Sequence, residues 1–187
     1  MNEAVTATTD DITEKTYSRV VIRAPIEKVW AELTREDTVL PFFFNSTCKT
    51  PDGLKVGGPV RMVSRSGKHA AVVGDVLEFD PPYRYAHTFK FTSLEDPPCI
   101  IRYELKEVDG GTEFTLISER IPAGTKSEKY MVSGSEFITK NFKAYVETGK
   151  ATASGRFALI MMGLTSFMTP KSCRIENWPY DRKINVD

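Results

Sequence analysis

Residues 83–92 read YRYAHTFKFT, and the alternation in this stretch decides the fold. Successive side chains of a strand point to opposite faces. Tyr85, His87, Phe89 and Phe91 therefore share one face, and Arg84, Ala86, Thr88 and Lys90 share the other. Asp80-Pro81-Pro82 precedes the stretch and Asp96-Pro97-Pro98 follows it, and both are turn signals. Working outward, strands are expected over 17–23, 60–65, 69–79, 83–92, 99–108 and 112–120. The connections among the last five are too short for parallel crossovers, so the strands pair as antiparallel hairpins. Ile101, Tyr103 and Leu105 oppose Arg102, Glu104 and Lys106, and Phe114, Leu116 and Ser118 oppose Glu113, Thr115, Ile117 and Glu119. One face of the sheet is thus aromatic and aliphatic, and it must be buried against something.

The covering element is a helix over about 127–148, with Gly149 as its C-cap. Its apolar stripe is Ile138, Phe142, Tyr145 and Val146, with Asn141 beside it. Pro25, Ile26, Val29, Trp30 and Leu33 place a short helix over 25–34, with Trp30 in the core. A second short helix or turn is expected over 36–43. It ends in Phe42, Phe43 and Phe44, and three consecutive aromatics cannot all face one core. A last helix, 153–168, is stopped by Pro170. Residues 171–187 read as a polar tail apart from Trp178-Pro179-Tyr180. The expected division is a flexible leader at 1–15, one domain at 16–152 and a helical extension at 153–187.

Composition excludes several classes. The chain has 187 residues, with 41% hydrophobic and 27% charged, as in ordinary globular proteins. Lys plus Arg and Asp plus Glu number 25 each, so no basic excess suggests a nucleic-acid partner. The N-terminus lacks the pattern of a secretory signal, and the apolar run at 157–164 is too short to cross a bilayer. A cytoplasmic location with no membrane partner is the expectation. Cys48, Cys99 and Cys173 are widely spaced, so neither a disulfide framework nor a metal site is expected. No cofactor motif and no catalytic constellation is visible.

Three segments carry a resemblance in order along the chain. They are IRAPIEKVWAELT (22–34), GDVLEFDPPYRYAHTF (74–89) and FKAYVETGKA (142–151). They resemble the SRPBCC superfamily, in the branch named for homologues of the C-terminal domain of the heat-shock chaperone ATPase activator. The resemblance spans about 17–151. It implies an α+β, START-like helix-grip fold, in which a curved antiparallel sheet wraps a long helix and leaves a deep cavity. Members bind lipids, hormones, polyketides or other apolar molecules, and some are enzymes. The branch often carries Trp near the position of Ser135 and His where Ser118 stands, so the family-typical polar groups are absent here. The length leaves no room for the further N-terminal domain of the eukaryotic activator, so chaperone activation is not expected.

The expected ligand-binding wall combines both readings. Tyr85, His87, Phe89, Phe91, Tyr103, Leu116, Ser118, Phe142 and Tyr145 face the sheet–helix interior, with Phe43 at its mouth. His87 and Asn141 are the groups expected to orient a ligand, because imidazole and amide both donate and accept hydrogen bonds. His69 is expected at an exposed hairpin turn, and Glu78 with Arg84 as a strand salt bridge. The leading expectation is binding of a small hydrophobic or aromatic molecule. One alternative is an enzyme of cyclase, dehydratase or hydrolase type using His87 and a tyrosine. Another is a protein-interaction module using the terminal helix, which is also a candidate to close the pocket or to pair in a homodimer.

Overall fold

The structure, a computed structural model, describes residues 12–13, 15–164 and 166–186. The strands are β1 (Ile12–Thr13), β2 (Thr16–Ile22), β3 (Val39–Leu40), β4 (Ser46–Lys49), β5 (Pro59–Val63), β6 (Ala70–Asp80), β7 (Arg84–Phe91), β8 (Cys99–Val108), β9 (Gly111–Glu119) and β10 (Ile121–Pro122). The helices are α1 (Ile26–Leu33), α2 (Lys126–Thr148) and α3 (Ala153–Leu164). Eight strands form one sheet in the order β2-β9-β8-β7-β6-β5-β4-β3. Every neighbouring pair is antiparallel. The curled sheet grips α2, which is the α+β helix-grip fold. Most of the leader expected at 1–15 lies outside the described residues, although Ile12–Thr13 pairs with Ile121–Pro122.

Local chemistry accounts for the elements. Pro25 is the N-cap of α1, Glu27 lies in its first turn, and Ile26, Val29 and Leu33 are buried. Trp30 is only half-buried, and its ring meets Phe79 at 5.4 Å. At α2 the Thr125 side chain accepts a hydrogen bond from the Glu128 N–H. Gly149, at φ 75°, closes the helix by donating to the Tyr145 carbonyl. Where a helix or turn was expected over 36–43, the chain forms β3 and a 3-10 turn at Pro41–Phe43. β3 and β4 extend the sheet beyond the expected strands. They are too short to show a period, and Phe42, Phe43 and Phe44 mask their boundary.

Packing against the sheet is tightest at the C-terminal half of α2. Phe142 is fully buried, 4.7 Å from Phe42 and 4.8 Å from Phe114 between ring centroids, and Tyr145 lies 5.4 Å from Phe42. The outer face of the sheet carries an ion-pair row. Arg84 Nε lies 3.0 Å from Glu78, Arg102 pairs with both Glu78 and Glu119, and Lys15 reaches Glu119 at 3.2 Å.

Beyond that row the outer face is covered by the tail, which is more than a polar run. Trp178 and Ile184 pack on Ala70 and Val73. Arg61, wholly buried, donates to the carbonyls of Val60, Gly74, Trp178, Pro179 and Arg182. The Ile184 N–H donates to Asp75 Oδ2 at 2.6 Å. His69 is half-buried, because this tail bridges to it through Arg174. By contrast α3 buries only Gly155 and Leu159, and Phe157, Ile160, Leu164, Phe167 and Met168 are exposed.

Candidate functional site

The N-terminal half of α2 stands off the sheet, and a cavity of about 510 Å³ lies between them. β7 supplies Tyr85, His87, Phe89 and Phe91, β8 supplies Ile101 and Tyr103, and β9 supplies Leu116. The 3-10 turn splits its three aromatics by direction. Phe42 enters the core, Phe43 lines the cavity, and Phe44, at φ 55°, stacks on Phe137 at 4.5 Å on the cavity rim. Seven of the expected wall residues therefore meet around one space: Phe43, Tyr85, His87, Phe89, Phe91, Tyr103 and Leu116.

Four expected wall residues lie elsewhere. Phe142 and Tyr145 fill the tight end of the helix–sheet contact. Asn141 turns toward α3, where its Oδ1 accepts from the Thr152 N–H and hydroxyl at 3.0 and 2.9 Å. Ser118 is fully buried and is not part of the cavity lining, and among the described residues its hydroxyl has no hydrogen-bond partner. The physical reason is the inclination of α2: one apolar stripe packs closely at its end and opens a space at its beginning. The wall there includes Met131, Gly134, Ser135 and Ile138. Of these the sequence reading placed Ile138 on the helix stripe and noted Ser135 against the family pattern, but expected neither as a wall residue, and it did not name Met131 or Gly134. Ser46 and Cys48 of β4 and Met62 of β5 were also missed. Once β4 is known to be a strand, the spacing of two between Ser46 and Cys48 places both on one face.

The cavity wall is chemically quiet at neutral pH. His87 is buried in the middle of the sheet, opposite Val76 and Ile101, and its Nδ1 lies 2.7 Å from the Thr88 carbonyl. A carbonyl only accepts, so Nδ1 carries the proton and Nε2 is left as an acceptor. Burial pulls the imidazole down to a pKa of about 4, outweighing the opposing effect of the Thr88 bond. Burial pushes the Cys48 thiol up to about 12, helped by the charges of Glu36 and Asp37. Burial likewise raises the hydroxyls of Tyr85 and Tyr103 above the usual phenol range. All four groups are therefore neutral. The thiol is no nucleophile, and the imidazole is a weak base with good hydrogen-bonding capacity.

A pH dependence of stability follows. Unfolded histidine titrates near 6.5, so between 6.5 and about 4 the unfolded chain binds a proton that folded His87 does not. The contribution is complete above pH 6.5 and is lost as pH falls, by roughly 3 kcal/mol at pH 4. Guanidinium unfolding across this range should show the decline, and His87→Phe should flatten it. A wild-type profile that His87→Phe leaves unchanged would contradict the burial of a neutral imidazole.

Among the described residues no three His, Cys, Asp or Glu side chains come together to hold a metal ion, and no helix is long and apolar enough to cross a membrane. The sequence profile of a family described as Activator of Hsp90 ATPase homolog 1-like protein matches residues 23–147. No curated protein matches the chain. Among solved structures, protein CV1439 from Chromobacterium violaceum is 24% identical, with a TM-score of 0.54 over 72% of this chain and 97% of its own. The Aha1 dimer from Colwellia psychrerythraea, a solution structure, is 17% identical, with a TM-score of 0.59 over 74% of this chain and 100% of its own. DynU16, a protein of the dynemicin biosynthetic locus, is 20% identical, with a TM-score of 0.60 over 74% of this chain and 49% of its own. These likenesses carry the fold.

Proposed function

This chain belongs to the Activator of Hsp90 ATPase homolog 1-like family, and from that premise we propose that it binds a small hydrophobic or aromatic molecule in the cavity between sheet and α2. The observation that carries the reading is a cavity with almost wholly apolar walls and a few polar groups, the usual design of a small-molecule site. Burying on the order of 300 Å² of apolar ligand surface contributes about 7 kcal/mol before ordering costs. An enzyme in the same space would need a competent base. His87, held neutral by burial and with its Nδ1 committed to Thr88, favours binding over turnover.

The test is uptake of the neutral dye N-phenyl-1-naphthylamine, read by its fluorescence. Wild-type protein is expected to bind it in the micromolar range. Ser135 is buried on α2 and lines the cavity, so Ser135→Trp should fill the space. That variant should keep the circular dichroism of the fold and weaken dye binding at least tenfold. Absence of dye uptake by the wild type, or undiminished uptake by a folded Ser135→Trp protein, would remove the proposal.

A further inference from the structure

Three polar groups on the cavity wall are left without partners by the protein itself. His87, Tyr85 and Tyr103 are each about 95% buried and each lines the cavity. Among the described residues the hydroxyls of Tyr85 and Tyr103 take part in no hydrogen bond, and His87 uses only Nδ1. Buried polar groups are normally satisfied, and an unmade bond costs the desolvation of the group.

The direction of the His87 bond is built in from behind. Thr88 Oγ1 accepts from the Asp75 N–H at 2.9 Å, which holds the Thr88 segment against β6. Gly74 has no side chain, and a Cβ there would fall 1.8 Å from the Thr88 carbonyl oxygen. Strand β6 therefore approaches closely enough to hold the carbonyl that receives the Nδ1 proton. The ring cannot present a donor to the cavity while it is neutral. It presents Nε2, an acceptor.

Charge narrows the ligand further. Among the described residues no Asp, Glu, Lys or Arg lines the cavity. An anion would be desolvated there with no cation to meet it, and Glu36 and Asp37 already raise the proton affinity of Cys48 from nearby. A cation would lack a carboxylate on the wall. The shape of the wall favours rings: Tyr85 stacks on Tyr103 at 5.5 Å, His87 lies 6.0 Å from Tyr103, and Phe89 meets Phe91 edge-on at 4.8 Å.

We infer that the molecule selected by this cavity is an uncharged, ring-bearing compound with a hydroxyl, which donates its proton to Nε2 of His87. The tyrosine hydroxyls are then donors for a second oxygen of the same ligand. The inference rests on the proposed binding function and specifies the chemistry of its ligand.

Four probes of one ring system test it by displacement of N-phenyl-1-naphthylamine at pH 7. They are naphthalene, 1-naphthol, 1-naphthoate and 1-naphthylmethylammonium. In the wild type, 1-naphthol should bind about fivefold tighter than naphthalene, as one neutral hydrogen bond supplies. Both ions should bind at least about a hundredfold weaker than 1-naphthol, given the cost of a buried unpaired charge. His87→Phe should lose the preference for 1-naphthol over naphthalene, and His87→Gln, with an amide acceptor, should regain part of it. Equal affinities for naphthalene and 1-naphthol in the wild type would overturn the inference. So would a preference that survives in His87→Phe, or an ion that binds as well as 1-naphthol. Those results would leave apolar uptake standing, whereas failure of the dye and naphthalene together would remove the binding function itself.

Discussion

Arg61→Ala is expected to lower the unfolding free energy by about 4 kcal/mol and to free residues 171–186 from the sheet. Arg61 is wholly buried, and its guanidinium donates to five carbonyls, at distances from 2.9 to 3.3 Å. Three of them, on Trp178, Pro179 and Arg182, belong to the tail. The substitution strands those oxygens, opens a void and removes a cation that acts on the buried Asp75 carboxylate. The remaining ties include the Arg174–His69 bridge, the Ile175 N–H to the Lys68 carbonyl, Lys183 to the Gly57 carbonyl and Asp75, the Ile184–Asp75 bond and the Trp178–Ile184 contacts. Their cations, Lys183 and Arg174, are exposed, whereas Arg61 is wholly buried. Guanidinium unfolding gives the energy, and amide hydrogen exchange shows where protection is lost. A loss below 1 kcal/mol with the tail still protected would show that Arg61 is not its anchor.

Gly74→Ala should be at least as damaging to the site. The added methyl would lie 1.8 Å from the Thr88 carbonyl oxygen, 2.9 Å from its carbon and 3.1 Å from His87 Nδ1. The first two are backbone atoms in the middle of the sheet, so no rotamer change relieves the overlap. β6 and β7 must separate, which breaks ladder bonds and takes Thr88 away from the imidazole. An expected loss of about 4 kcal/mol corresponds to a fall in melting temperature of roughly 10–15 °C for a domain of this size. Naphthol preference should vanish together with the stability. A Gly74→Ala protein that melts within about 2 °C of wild type would show that the sheet has slack there.

Sequence and structure agree where one period is long enough to be seen. Tyr85, His87, Phe89 and Phe91 alternate over a whole strand, and their common direction could be derived before any coordinates. The helix stripe of Ile138, Phe142 and Val146 is equally regular, but it records only which side faces the sheet. It cannot show that Phe142 touches the sheet while Ser135, two turns earlier, faces open space. Arg61 shows a different limit. It sits between Val60 and Met62, and three of its five partners are backbone oxygens more than a hundred residues away, which leave no mark on side-chain pattern. Gly74 was visible as part of a family-like segment, but its close approach to Thr88 exists only after β6 and β7 pair. β4 is four residues long and follows three phenylalanines, so its cavity-facing Ser46 and Cys48 had no recognisable period around them.

The joint between α2 and α3 separates tuning from contact. Asn141 grips Thr152, whose hydroxyl in turn accepts from the Gly155 N–H, and a side chain at Gly155 would collide with Asn141 Oδ1 at 2.0 Å. Neither Asn141 nor Gly155 borders the cavity, yet Met162, two turns farther along α3, does. A change of helix angle at this joint would shift Met162 against the cavity without replacing any wall residue. Descendants of this sequence could therefore change which molecules they admit by altering an angle, while the interior chemistry around His87 stays as it is.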